Sequence, residues 1–263
     1  MEKIKLASIN YYRELELFND KISVFLTSEI YSHTPEFMFE SLKDWSIFHT
    51  LEEVKEWFVN KRQKSTLEVE DIPLNQVSGW SIDNSSGNIY HDSGDFFTIH
   101  GVRVTSKNRE VAVTWDQPIL EQVGYDGGLL GLIRKRFNGI PHYLCEAKEE
   151  PGNYGKVQIS PSLQATFSNI NQAHGGRKPH FTDLFMERDN LDNVTVLFDA
   201  WLAEDGGRLH LKRNRGILIE LDEATPIALP NDNFIWLSLY QIKQLLKEDA
   251  WVNPHVRGIL AHG

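Results

Sequence analysis

The sequence predicts an α+β protein, on three observations. Helical patterning is confined to the first 64 residues and the last 30 or so. Between them lies a succession of short β-rich runs broken by turn residues. Those runs follow one another without the regular strand–helix alternation of a parallel α/β sheet.

Each element has its own signal. Thr34-Pro35 reads as a cap followed by proline at the first helical position, where its missing N–H is harmless. Thr50 with Glu53 forms a capping box, after which Leu51, Val54 and Phe58 fall on one helical face. Lys61, Arg62 and Lys64 put positive charge at that helix's C-terminal end. From Val77 the pattern becomes β-like, with Asn84 to Asn88 as a turn cluster. Strands are expected at 96–104, 111–115, 128–137, 140–147, 194–202, 208–212 and 215–221. Asn138-Gly139 between two of these runs predicts a hairpin. Ser238 opens one closing helix, and Asn253-Pro254 opens the other. The helical part is assigned to residues 1–76 and the strand-rich domain to 77–263.

Composition excludes several classes. With 41% hydrophobic and 24% charged residues, the 263-residue chain reads as globular. It holds no apolar run long enough for a transmembrane helix, and its charged N-terminus does not suit a signal peptide, so a cytoplasmic protein without membrane contact is expected. The net charge of −10 argues against nucleic-acid binding. Cys145, the single cysteine, forbids an internal disulfide or a multi-cysteine metal site. Residues 101–180 nevertheless carry 10 basic against 7 acidic groups, a local positive bias that suits an anionic ligand.

That bias coincides with an unusually polar segment, Glu146 to Arg177. Buried amides and hydroxyls each need a hydrogen-bond partner, so a core strand is not written this way, whereas a pocket for a many-hydroxyl ligand is. Glu150-Pro151-Gly152-Asn153 reads as a fixed turn. Gln158, Ser160, Gln164, Thr166 and Ser168 recur at even spacing, which on extended chain places them on one face. His174-Gly175-Gly176-Arg177, Arg208 and Asn214-Arg215 add a titratable group, a further amide and cations suited to phosphate. No dinucleotide fingerprint, P-loop, His-Glu-x-x-His or nucleophile elbow is present. His142, Cys145 and Glu146 lie close in sequence, but strand alternation separates 142 from 145, so no metal site is expected there.

The stretches HDSGDFFTIHGVRV (91–104), WDQPILEQ (115–122), EAKEEPGN (146–153), VQISPSLQATFSN (157–169), HGGR (174–177), AEDGGRLHLKRNRGILIEL (203–221), FIWLSLYQIKQLL (234–246) and VNPHVRGILA (252–261) occur in an order that resembles the NDP-hexose 2,3-dehydratases of deoxysugar biosynthesis. The resemblance spans Val77 to the C-terminus. It implies a Nudix-like mixed sheet with flanking helices, without the glutamate-rich metal box and without cofactor. It also implies a dTDP-linked 4-keto-6-deoxyhexose as substrate, loss of water across carbons 2 and 3, and a 3-ketoreductase consuming the unstable product. Most family members carry two tandem copies of this domain, so a homodimer is expected of a single copy. A non-catalytic sugar-nucleotide-binding subunit is the alternative.

The reaction removes a hydrogen acidified by the neighbouring ketone and stabilises charge on the ketone oxygen. The resemblance leaves the roles open. Glu150 or His174 takes the proton, with His91 as a rival acid or base. Lys148 or an amide steadies the enolate. Arg177, Arg208 or Arg215 holds the diphosphate. Trp115 and Trp236 either stack on the base or pack in the core. Gln117, Asn153, Gln158, Ser160, Gln164, Thr166, Asn169 and Asn214 complete the expected substrate contacts. Glu146, Ser162, Ile170 and Asn171, and the stretch 123–127, depart from the family pattern.

Overall fold

The computed structural model describes residues 2–23, 34–108, 113–124, 127–172 and 177–261. Three helices come first: α1 (Glu2–Ile22), α2 (Thr34–Glu40) and α3 (Leu51–Lys64). The capping box expected at Thr50 is formed, with Glu53 N–H donating to Thr50 Oγ1 and the Thr50 N–H donating to Glu53. Strands follow as β1 (Trp80–Ile82), β2 (Ile89–His91), β3 (Phe97–Thr105), β4 (Thr114–Gln122), β5 (Gly128–Phe137), β6 (Ile140–Glu149), β7 (Val157–Pro161) and β8 (Leu163–Thr166). Two short helices, α4 (Phe167–Ile170) and α5 (Thr182–Met186), precede β9 (Val194–Ala203), β10 (Leu209–His210), β11 (Arg213–Leu221) and β12 (Phe234–Leu237). Helices α6 (Leu239–Leu245) and α7 (Pro254–Leu260) close the chain, on the caps expected at Ser238 and Asn253.

The strands build two sheets, an α+β arrangement as expected. A smaller sheet runs β1-β2-β3-β4-β10, and a larger one runs β12-β6-β5-β11-β9, with β7 on β6 and β8 on β5. Among the described strands, pairing is antiparallel except for β5 with β11 and β4 with β10. The β5–β6 hairpin is closed by Asn138 and Gly139 at φ 51° and 78°. Positive φ at both residues is what a two-residue turn of this hand demands.

Alternation along β5 makes it the spine of the core. Leu130 and Leu132 face one apolar cluster, which Phe37 of α2, Val54 and Phe58 of α3, and α6 and α7 complete. Leu129 and Ile133 face another, with Ile170 of α4 and Phe185 of α5. The N-terminal helices are therefore packed into the same core as the strands. Tyr11 of α1, Phe39 and Trp45 form a third cluster over Ile140. Arg134, 1% exposed, ties α2 down electrostatically by donating to Glu36 at 3.0 Å and Glu40 at 2.6 Å.

Three strand expectations change. The strand expected at 111–115 is instead β4, starting at Thr114; residues 109–112 lie outside the described set. Only Leu209–His210 of the 208–212 run is paired. The even-spaced stretch 157–168 is not one extended strand. Beyond Ile133↔Leu144, β5 and β6 part; β6 continues with β7 and β5 with β8. Ser162 sits at the vertex, its Oγ donating to Leu144 O at 2.6 Å and accepting from the Ile133 N–H at 3.0 Å. A hydroxyl at this point supplies the hydrogen bonds that the parting strands no longer give each other.

Candidate active site

The parting of β5 and β6 creates a polar cleft of about 330 Å³. Lys148 and Glu150 reach it from the end of β6, Gln164 and Thr166 from β8, and Asn169 from α4. Its other wall comes from Glu204, Leu209, Lys212 and Asn214, and its rim includes His255 of α7. A larger groove of about 490 Å³ lies between α3 and Asn233. It is lined by ordinary helix-surface residues such as Glu53, Glu56 and Lys61 and takes none of the candidate residues.

Hydrogen bonds hold the cleft's side chains in place. Lys148 Nζ donates to Gln164 O at 3.0 Å, and Gln164 Nε2 donates to Glu150 Oε1 at 2.9 Å. Asn253 Nδ2 donates to Gln164 Oε1 at 2.8 Å and to the buried Ser160 Oγ at 2.7 Å. The same Asn253 caps α7, accepting the His255 and Val256 N–H groups, so one amide aligns β7, β8 and α7. Asn214 donates to Glu204, and Thr166 and Ser168 share a hydrogen bond of 2.9 Å. Gly128 lets these pieces meet: a Cβ there would lie 2.8 Å from Ala165 O and 2.9 Å from Asn214 Oδ1.

The turn carrying Glu150 is real, with Asn153 N–H donating to Glu150 O at 3.1 Å. Its left-handed residues are Gly155 and Lys156, at φ 72° and 67°, rather than Gly152. Asn153 braces the turn from inside through Lys148 O and Lys156 O.

His255 is the titratable group that sequence reading passed over, together with Glu204 and Lys212. Burial pushes its pKa down; Glu204 and Glu150 oppose that, and Lys212 and Lys148 add to it. Its Nδ1 lies 3.7 Å from Glu204 Oε1. The imidazole is thus neutral at neutral pH with a carboxylate ready to steady its cation. Glu146, on the same strand as Lys148, is raised by burial; Lys148 counters this and Glu150 reinforces it. The missed signal lay in Asn253-Pro254-His255, where a cap and a first-turn proline fix a histidine at a helix start.

Of the residues singled out in the sequence, the structure brings together Lys148, Glu150, Gln164, Thr166, Asn169 and Asn214. Ser160 lies beneath them, fully buried. Gln158 turns to Ala250 O. Trp236 belongs to the core, its ring 5.0 Å from Phe137. Trp115 and Gln117 are on β4, where Gln117 Nε2 donates to Gly207 O at 2.8 Å. His91 is on β2 of the smaller sheet, bonded to Ser93 Oγ at 2.7 Å and packed edge-on to Trp80 and Phe96. Arg208 is exposed and pairs with Asp205 at 2.6 Å, Arg215 pairs with Asp199, and Arg177 is exposed. His174 lies outside the described residues.

Fold and site together describe an α+β protein with a preorganised polar cleft bearing two lysines, two carboxylates and a neutral histidine. A family model described as NDP-hexose 2,3-dehydratase matches residues 51–262, and the chain belongs to that family. It is 38% identical over 205 residues to a dTDP-4-dehydro-6-deoxy-alpha-D-glucopyranose 2,3-dehydratase of Saccharopolyspora spinosa, covering 78% of this chain and 40% of that one. Proteins of the same name from Amycolatopsis orientalis and Streptomyces violaceoruber are each 36% identical, over 80% and 78% of this chain and 44% of theirs. The chain thus spans less than half the length of these curated relatives. Among solved structures, a Nudix hydrolase from M. smegmatis, RenU, aligns over 61% of this chain and 90% of its own at 15% identity, with a TM-score of 0.30. C. elegans Ap4A hydrolase aligns over 51% of this chain and 90% of its own at 13% identity, also with a TM-score of 0.30.

Proposed function

We propose that the chain eliminates water across carbons 2 and 3 of a dTDP-linked 4-keto-6-deoxyhexose. The observation that carries this reading is convergence. Lys148 and Glu150, Gln164 and Thr166, Glu204 to Asn214, and His255 come from four separate family-matching stretches and line one cleft.

The chemistry needs a base, an acid and a cation. His255, neutral at neutral pH, takes the proton from carbon 3. Glu204 steadies the imidazolium that forms. Charge developing on the 4-keto oxygen falls to the ammonium of Lys148, held in place by Gln164 O. The electrons of the broken C3–H bond form the C2–C3 double bond as hydroxide leaves carbon 2. Glu150, oriented by Gln164, protonates it to water. The resulting enol becomes a 3-ketone by taking a proton at carbon 2. Lys212 on the cleft wall and Arg208 on the same arm meet the diphosphate. A homodimer, a cytoplasmic setting and a downstream 3-ketoreductase complete the proposal. Residues 1–76 form the helical segment ahead of the catalytic domain, 77–263.

Incubation with dTDP-4-keto-6-deoxyglucose and a 3-ketoreductase in heavy water tests it. The expected result is a 2-deoxy product with deuterium at carbon 2. Tight sugar-nucleotide binding with no deoxy product would overturn the enzyme reading in favour of a binding subunit.

A further inference from the structure

We infer that His100, Glu121 and His210 form a binding site for one divalent transition-metal ion of the zinc class, apart from the cleft. The three side chains come from β3, β4 and β10, and their ligand atoms all lie within 4.8 Å of one another. Glu121 is the centre. Its Oε2 is 3.6 Å from His100 Nδ1 and its Oε1 is 3.8 Å from His210 Nδ1.

Register explains the juxtaposition. His210 stands opposite Glu121 in the parallel β4–β10 pair. Glu121 pairs with Thr98 across β3, two residues from His100 and on the same face. The two rings meet edge to face with centroids 5.4 Å apart, near-perpendicular at 73°. His210 Nδ1 is buried and has no hydrogen-bond partner among the described residues. A buried ring nitrogen without a partner is costly unless something occupies its lone pair.

The donor set fits zinc-class ions. Two imidazoles and one carboxylate are the protein ligands of several three-ligand zinc sites. Bonds of about 2.0–2.2 Å in a tetrahedron place ligand atoms about 3.3–3.5 Å apart, so the observed separations close with side-chain rotation alone. Glu121 is about half exposed, which leaves an entry path and a fourth position for water.

The site would act as a clip. β10 has only two residues in its ladder. The arm around it is also held to β4 by Leu120 N–H to Arg208 O at 2.9 Å, by Gln117 to Gly207 and by Lys212 to Gln122. Leu209, one residue before His210 and on the opposite side of the strand, lines the cleft. An ion on His210 therefore fixes the arm that walls the cleft, without touching the reacting groups.

The test is titration of tag-free, chelator-stripped full chain with zinc by calorimetry, and with cobalt by visible absorption. One equivalent should bind, cobalt should give the intense visible bands of low coordination, and zinc should slow proteolysis within 204–212. Glu121→Gln, at a half-exposed position that leaves the fold intact, should weaken zinc at least 100-fold, as should His100→Gln with His210→Gln. Unchanged one-equivalent binding in these variants would overturn the site, as would absence of binding to the parent chain. The readout is independent of dehydration, so failure here leaves the proposed activity standing.

Discussion

His255 owes its chemistry to burial. Alone in a peptide it would be half protonated near pH 6.5, but beside the cleft its pKa is lowered. In its proposed role as base it must be unprotonated, so kcat/KM should rise with pH through that lowered value and then level off. Removing a neighbour moves this acid limb in a calculable direction. Glu204→Gln deletes a group that raises the pKa, so the limb should shift to lower pH. Lys212→Met deletes one that lowers it, so the limb should shift to higher pH. His255→Gln should lose at least about 100-fold in kcat/KM across the whole range. A pH–rate series on the three variants checks all of this, and an immobile limb would remove His255 from the mechanism. Glu150→Gln keeps the bond to Gln164 feasible while abolishing acid catalysis, so a kcat loss with KM unchanged is expected.

At the scale of elements, Ser162 decides where the cleft opens. Its hydroxyl serves two buried backbone groups, Leu144 O and the Ile133 N–H, at the point where β5 and β6 separate. Ser162→Ala would leave both without this partner and should cost about 2 kcal/mol, measurable as a lower urea midpoint at constant m-value. Docking of α2 rests on a different device. Arg134 is buried between Glu36, Glu40 and Glu220, and Tyr143 Oη donates to Glu40 at 2.9 Å. Burial raises the Glu36 pKa, but hydrogen bonding to Arg136 and the charges of Arg134 and Arg136 bring it down to about 2. Glu40→Ala should destabilise by about 3 kcal/mol, because it strands part of a buried guanidinium charge.

For the whole molecule, His142 is one group that couples stability to acid pH. Its Nδ1 donates to Ile140 O at 3.0 Å and its Nε2 accepts from the Ile47 N–H at 3.2 Å, so the folded protein holds the neutral ring. Burial pushes the pKa down to about 4, with Ile140 O opposing and His49 adding. The unfolded chain binds this proton near pH 6.5 and the folded one only near pH 4. Between those values the unfolded state holds more of this proton, so the His142 contribution to stability falls as pH drops, by roughly 3 kcal/mol across the window. His255 contributes in the same direction. His142→Gln, which keeps an acceptor for Ile47, should flatten the slope between pH 6.5 and 4 in denaturant titrations. An unchanged slope would place the acid sensitivity elsewhere.

Much of this architecture was legible in local chemistry. Capping residues at Thr50, Ser238 and Asn253, the Asn138-Gly139 turn and the β-like run of β5 follow from short-range rules, because backbone propensity and turn chemistry are properties of neighbouring residues. The polar character of 146–177 and the family membership of the chain were likewise written in the sequence. What only the tertiary structure decided was which polar residues share a space. Even spacing from Gln158 to Ser168 suggested one extended face, but the chain bends at Ser162 and turns helical at Phe167. Lys148 and His255 are 107 positions apart in the chain and line the same cleft, because α7 is capped by the amide that also holds β7 and β8. Contacts between distant segments depend on how β5 and β6 part and on what fills the gap. That is a property of packing, and no local pattern encodes it.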